Sequence, residues 1–279
     1  MSGPGATPIR ALLDGLIDYA GLFPPASLGM AEAVRKYAAY RDSEYAWALG
    51  RFVIPGGRLA ELDAASRDRA VLRLSILMPS GSPPPASAEV VEVRADTARD
   101  IVATSQVLPP GVTAYFEIPV ARDPADLLEV IAETRTRAKV RTGGLTPDMF
   151  PTSPHLARFI ASCARARVPF KATAGLHHPL RSVHNLTYEA DSAFGVMHGF
   201  VNVFLASALI YCGGTEEDAV RTLDERSPEA FRFEDAAVEW HGYRLRSDQI
   251  AESRAHFAVS FGSCSFDEPI ADLRDLGLL

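Results

Sequence analysis

The stretch PFKATAG (Pro169–Gly175) decides the fold, because a lysine stands in the middle of an otherwise apolar run. Side chains alternate across a strand, so Phe170, Ala172 and Ala174 share one face while Lys171 and Thr173 share the other. AKVRTGG (138–144) repeats the pattern, with Lys139 and Arg141 on one face. In TAYFEIP (113–119) Tyr115 and Glu117 point together, opposite Phe116 and Ile118. If the apolar faces pack against helices, the charged faces must converge on an interior. A closed ring of strands supplies one.

Working outward, eight β-like runs are expected: LIDYA (16–20), RFVIP (51–55), RLSILMP (73–79), TAYFEIP, AKVRTGG, PFKATAG, GFVNVF (199–204) and HFAVSFGSCSF (256–266). Helix-period segments follow most of them, near 28–40, 58–65, 88–104, 124–137, 154–165 and 206–211, with a short helix closing the chain. This alternation predicts an α/β chain with a parallel sheet. Eight repeats in 279 residues fit a (β/α)8 TIM barrel better than an open doubly wound sheet. No GxGxxG follows the first run, which weakens a dinucleotide-binding reading. Residues 1–279 are expected to form a single barrel domain. FRFEDAAVEWHGYRL reads as a small hairpin-like insertion, within 226–246, before the last strand.

The net charge of −7 argues against a general nucleic-acid binder, which needs a basic face. The N-terminal MSGPGATPIR lacks the apolar run of a secretory signal. The apolar stretch from Phe194 to Cys212 contains His198 and Asn202 and reads as a buried strand plus helix, not a membrane span. Three cysteines without paired spacing imply neither a disulfide framework nor a zinc site. A cytoplasmic protein is expected, with no membrane or nucleic-acid partner; assembly as a homo-oligomer stays open.

Of 28 basic residues only three are lysines, Lys36, Lys139 and Lys171. Arginine can replace lysine as a surface charge but cannot lose its proton and attack a carbonyl. Lys36 lies in a helical pattern and reads as surface. Lys139 and Lys171 lie on neighbouring strands with Glu117, and two amines in a dry pocket both favour the neutral form. A neutral amine adds to an aldehyde or ketone to give a Schiff base, and Glu117 or Asp18 can carry the proton. Two other readings stay open. In one, the lysines pair with Glu117 and Asp18 in a polar plug. In the other, the cations clamp a phosphate or carboxylate without covalent chemistry.

His177 and His178 follow the glycine turn as candidate proton carriers and substrate contacts. A metal-dependent hydrolase built on this pair is a further alternative, but adjacent histidines are a weak metal signal and no HExxH is present. Asn202, in the expected seventh strand, and Ser263, in the small-residue loop FGSCSF, complete the candidate substrate contacts with Arg141, Thr173, His177 and His178. No metal or organic cofactor is expected.

Four segments resemble deoxyribose-phosphate aldolases, a family of Schiff-base aldolases on the (β/α)8 barrel. LIDYAGL resembles the family's first strand, Asp included. AKVRTGG is similar to its Schiff-base strand, KATAG to its second-lysine motif, and FGSCS to its phosphate loop. The resemblance implies that Lys139 forms the Schiff base, Lys171 lowers its pKa, and Glu117 and Asp18 stand where that family has aspartates. The substrate is then a small carbonyl compound, neutral or anionic. Three departures are visible. The interval from Lys139 to Thr-Gly is two residues shorter than in the family, the Gly-Gly motif expected on strand seven is missing, and two histidines extend the KATAG loop.

Overall fold

The computed structural model describes residues 6–66 and 72–279. The first half of the stretch read as lacking a secretory signal, residues 1–5, lies outside them.

In chain order, helix α1 (Pro8–Leu13) leads into β1 (Ile17–Tyr19), α2 (Met30–Arg41), β2 (Leu49–Pro55), α3 (Leu59–Ala65), β3 (Leu74–Met78) and β4 (Val90–Arg94). Next come α4 (Ala98–Ser105), β5 (Thr113–Glu117), α5 (Ala125–Glu133), β6 (Arg137–Arg141), α6 (Ser153–Ala166) and β7 (Phe170–Thr173). A hairpin of β8 (Ser182–Asn185) and β9 (Phe194–Met197) precedes α7 (Phe200–Tyr211) and α8 (Glu216–Asp224). The chain ends with β10 (Arg232–Phe233), β11 (Ala237–Trp240), β12 (Tyr243–Arg246), α9 (Ser247–His256), β13 (Ala258–Ser263) and α10 (Asp267–Asp275).

Eight parallel strands close into a barrel in the order β1-β13-β7-β6-β5-β4-β3-β2. The protein is an α/β barrel of the TIM type, with helices outside. A three-stranded antiparallel sheet, β10-β11-β12, stands between α8 and α9, ahead of the last barrel strand. At the N-terminal end of the barrel, buried Arg254 of α9 donates to the carbonyls of Leu12, Asp14 and Ala258.

Two of the expected elements are wrong, and the errors cancel in the strand count. GFVNVF is not a strand: Gly199 is the N-cap of α7, and every residue from Phe200 to Ile210 is buried. A short apolar run cannot be told from a buried helix by periodicity, because a helix covered on all sides loses its polar face. The missing strand is β4, which lies inside the segment read as a helix from 88. That helix starts later. Thr97 and Asp100 form a capping box that begins α4 at Ala98. This leaves VVEVR outside the helix, and its β-branched valines pack as strand residues.

The outward faces follow the expected parity. Phe116, Ala138, Val140, Phe170 and Ala172 are fully buried in the apolar layer beneath the helices. Phe170 packs edge-on against both Phe159 of α6 and Phe257. Lys139 and Lys171 are buried too, but on the inward face.

Candidate active site

Register places the charged residues in one layer. Lys139 stands opposite Lys171 on the neighbouring strand and opposite Glu117 on the other side. The residue that joins them is Glu92 of β4, buried between Val91 and Val93. Its Oε1 lies 2.5 Å from Lys171 Nζ, and its Oε2 lies 2.7 Å from Lys139 Nζ. Ser75 Oγ donates to Glu92 Oε1 at 2.6 Å. Lys171 also donates to Asp18 Oδ2 at 2.6 Å, and Lys139 lies 2.9 Å from Glu117 Oε2. Arg141 Nε completes the row by donating to Glu117 Oε1 at 2.8 Å.

Three carboxylates therefore face three cations. Asp18 is further held by Ser260 Oγ at 2.9 Å and by the Arg51 N–H at 2.6 Å. The second contact explains Gly50, where a Cβ would stand 2.2 Å from Asp18 Oδ1.

For Lys171 this network overturns the expectation of a neutral amine. Burial alone would push the Lys171 ammonium toward neutrality, but Asp18 and Glu92 outweigh it and hold its pKa above the ordinary lysine value. For Glu92 burial favours the neutral acid, yet Lys139 and Lys171 hold the carboxyl well below its ordinary range. Glu117 is held down in the same way by Lys139 and Arg141. Opposite charges at hydrogen-bond distance outweigh the cost of burial.

Above this floor lies a cavity of about 290 Å³. Lys139, Glu92, Arg141, Thr173 and His177 reach its wall, and Phe23, Leu77, Leu145 and Met149 give it an apolar lining. Lys171 and Asp18 are sealed beneath. The rim depends on two glycines. A Cβ on Gly175 (φ +73°) would meet Gly143 Cα at 2.8 Å, so the loops after β6 and β7 touch backbone to backbone. Thr142 Oγ1 fastens them by donating to the Ala174 carbonyl at 2.6 Å.

The remaining candidates separate. His177 Nδ1 is 3.1 Å from Glu268 Oε2 and 3.9 Å from Cys264 Sγ, at the cavity mouth. Burial opposes its charge, but these contacts push its pKa up to about 9. His178 turns away to Asp272 Oδ2 at 2.5 Å and stacks on His184 in an adjoining cleft. Among the described residues no group of three or more His, Cys, Asp or Glu is placed to hold a metal ion. Ser263 is buried off the cavity wall and accepts the Ser265 N–H at 3.3 Å. Asn202 is not at a strand end. It lies buried in α7, accepts the Arg181 N–H at 2.9 Å and donates to the carbonyls of Thr222 and Glu225, both at 2.8 Å. Its role is to tie helices and loop together.

Sequence reasoning missed Glu92, the one carboxylate shared by both lysines. The signal was a glutamate alternating with valines in VVEV just before a capping box.

Among the described residues no helix is long and apolar enough to cross a membrane. A scan against protein-family models finds no match to this chain, and neither do a search of curated proteins and a search of solved structures.

Proposed function

We propose that the barrel mouth performs lysine-based carbonyl chemistry of the aldolase or lyase type, with Lys139 as the Schiff-base former. The observation that carries this reading is the position of Lys139. Its amine sits at the floor of an apolar-walled cavity with a carboxylate 2.9 Å away, while Lys171 is sealed below. The resemblance of AKVRTGG and KATAG to the two lysine motifs of deoxyribose-phosphate aldolases points the same way.

The charges suit the step. The Lys139 ammonium passes a proton to Glu117, and the neutral amine adds to the carbonyl carbon. The resulting carbinolamine takes the proton back on its hydroxyl and loses water. In sum, an ammonium and a carbonyl become an iminium and water, and the single positive charge is conserved. The carboxylates that stabilise the ammonium therefore stabilise the iminium as well. The iminium then accepts the electron pair of the adjacent C–C bond as a β-hydroxyl proton passes to Glu117, releasing an aldehyde. The enamine left behind regains that proton at carbon, and water frees the second product. Lys171 stays an ammonium and fixes Glu92.

Borohydride trapping with a panel of small aldehydes, ketones and 2-oxo acids, read by peptide mass spectrometry, tests the assignment. A reduced adduct on Lys139 is expected, and none in K139R. Absence of any adduct on Lys139 would refute it. A second reading has its own support, because every lysine amine on the floor is already ion-paired. On that reading the barrel binds a small molecule without covalent chemistry, and ligands would bind but never be trapped.

A further inference from the structure

We infer that the cavity carries a carboxylate subsite, formed by the Arg141 guanidinium and the Thr173 hydroxyl directly above Lys139, and that the carbonyl substrate is a 2-oxo acid without a phosphate. This rests on the Schiff-base reading and adds the substrate class to it.

Arg141 and Thr173 are register partners on β6 and β7, one layer above the register pair Lys139 and Lys171. Two residues along a strand raise that layer by about 6.6 Å. Both line the cavity. Arg141 Nε is taken by Glu117, but its two terminal nitrogens meet no acceptor among the described residues, and the side chain is 43% exposed. The Thr173 hydroxyl likewise has no hydrogen-bond partner among them; Thr142 bonds the Thr173 backbone carbonyl instead. Beside them on β13, a Cβ at Gly262 would meet nothing closer than Thr173 Oγ1 at 3.5 Å, so the wall is open there. A planar fork of N–H donors next to a hydroxyl, facing open space, matches a carboxylate.

The spacing selects which carboxylate. Glu117 already spans Lys139 Nζ and Arg141 Nε with its two oxygens. The amine and the guanidinium are thus one carboxylate group apart. A 2-oxo acid presents its carbonyl and its carboxylate on adjacent carbons, which fits that interval. A neutral aldehyde would leave the fork unpaired.

Phosphate is disfavoured where the resemblance would put it. The loop after β13 runs into α10, whose first turn is Asp267 and Glu268. Two of the loop's donors turn inward: the Ser265 N–H goes to Ser263 Oγ, and the Glu268 N–H goes to Ser265 Oγ at 3.2 Å. On the floor below, three cations already match three carboxylates. Among the described residues, the cations a dianion would meet at the cavity wall, Lys139, Arg141 and His177, each already face a carboxylate.

Trapping yields on Lys139 with pyruvate, methyl pyruvate and glyceraldehyde 3-phosphate, at equal concentration, test this. Pyruvate is expected to exceed both others by about tenfold or more, the scale of a charge-assisted bidentate contact. The ratio of pyruvate to methyl pyruvate should fall toward one in R141M. It should also fall in G262A, whose added methyl makes only an ordinary contact with the protein but narrows the subsite. Thermal melts check that both variants fold. Equal yields with pyruvate and its ester, an unchanged ratio in R141M, or better trapping of the phosphorylated aldehyde would overturn the proposal. If no compound is trapped, the Schiff-base reading fails separately. Pyruvate binding followed by ligand-observed NMR then decides the subsite: binding lost in R141M supports it, and binding absent from the wild type or kept in R141M overturns it.

Discussion

Replacing Glu92 by glutamine gives the sharpest test of the charged floor. The substitution keeps shape and removes the one negative charge that two ammonium groups share at 2.5 and 2.7 Å. Breaking a buried ion pair from one side costs about 3–5 kcal/mol, because the partner is left uncompensated. A chain of 279 residues has a melting entropy near 0.6 kcal/mol/K, at about 2.1 cal/mol/K per residue. The melting temperature of E92Q should therefore fall by about 5–8 °C at pH 7. The pH dependence is a second signature. In the wild type, Glu92 lies below its ordinary value of 4.5, so its contribution is present above that pH and lost on acidification. Lys171 lies above its ordinary value of 10.5, so its contribution is complete below that pH and lost as pH rises through the folded value. Between these limits neither group adds a pH dependence of its own, and the His177 contribution is common to both proteins. E92Q carries an unmatched positive charge that is relieved when Lys171 loses its proton, so its deficit should narrow from pH 7 toward pH 10. Calorimetry of both proteins across that range measures it. A melting temperature within about 1 °C of wild type, or a deficit that widens with pH, would show that Glu92 does not bridge the two amines.

Asn202→Ala should lower stability by about 2 kcal/mol, since it removes hydrogen bonds to two backbone carbonyls and an N–H, while leaving borohydride trapping at Lys139 unchanged; denaturant melts and mass spectrometry read the two effects. Gly175→Ala should cost about 1–3 kcal/mol from its left-handed backbone, plus the clash with Gly143, visible as an earlier melt; an unchanged melt would mean the two loops do not touch. The His177 ring should titrate by NMR with a midpoint near 9, lowered in E268Q. Its stabilising effect is complete below 6.5 and disappears as pH rises through about 9. A midpoint at 6.5 would remove the His177–Glu268 pair.

The barrel and its two lysines were legible because period-two alternation is a local property. Lys139, Lys171 and Glu117 each interrupt an apolar strand on the same parity, and strand parity alone points them inward. Protonation was not legible. It depends on how many carboxylates meet the amines, and Glu92 comes from a four-residue valine-rich run that composition disguised as the start of α4. Asn202 was misplaced for the opposite reason. α7 is buried on every side, so its sequence lacks the polar stripe that marks a helix, and a residue serving three backbone groups looked like a strand-end ligand. His177 and His178 are adjacent in sequence, but the bend after Gly175 sends them to different carboxylates, Glu268 and Asp272, on α10.

The route of the chain between β7 and β13 bears on the order of assembly. These strands are neighbours in the barrel, yet the hairpin, α7, α8, the small sheet and α9 all intervene. The last strand must also meet the first, across most of the polypeptide. Long-range pairing of this kind is slow, because loop closure precedes its reward. Ser260 on that final strand grips Asp18, so the ionic floor cannot be completed before the ring shuts. Until then the carboxylates and amines remain hydrated, and their dehydration falls on the closing event. A barrel shut in the wrong register would trap those charges unmatched, a penalty that native closure avoids.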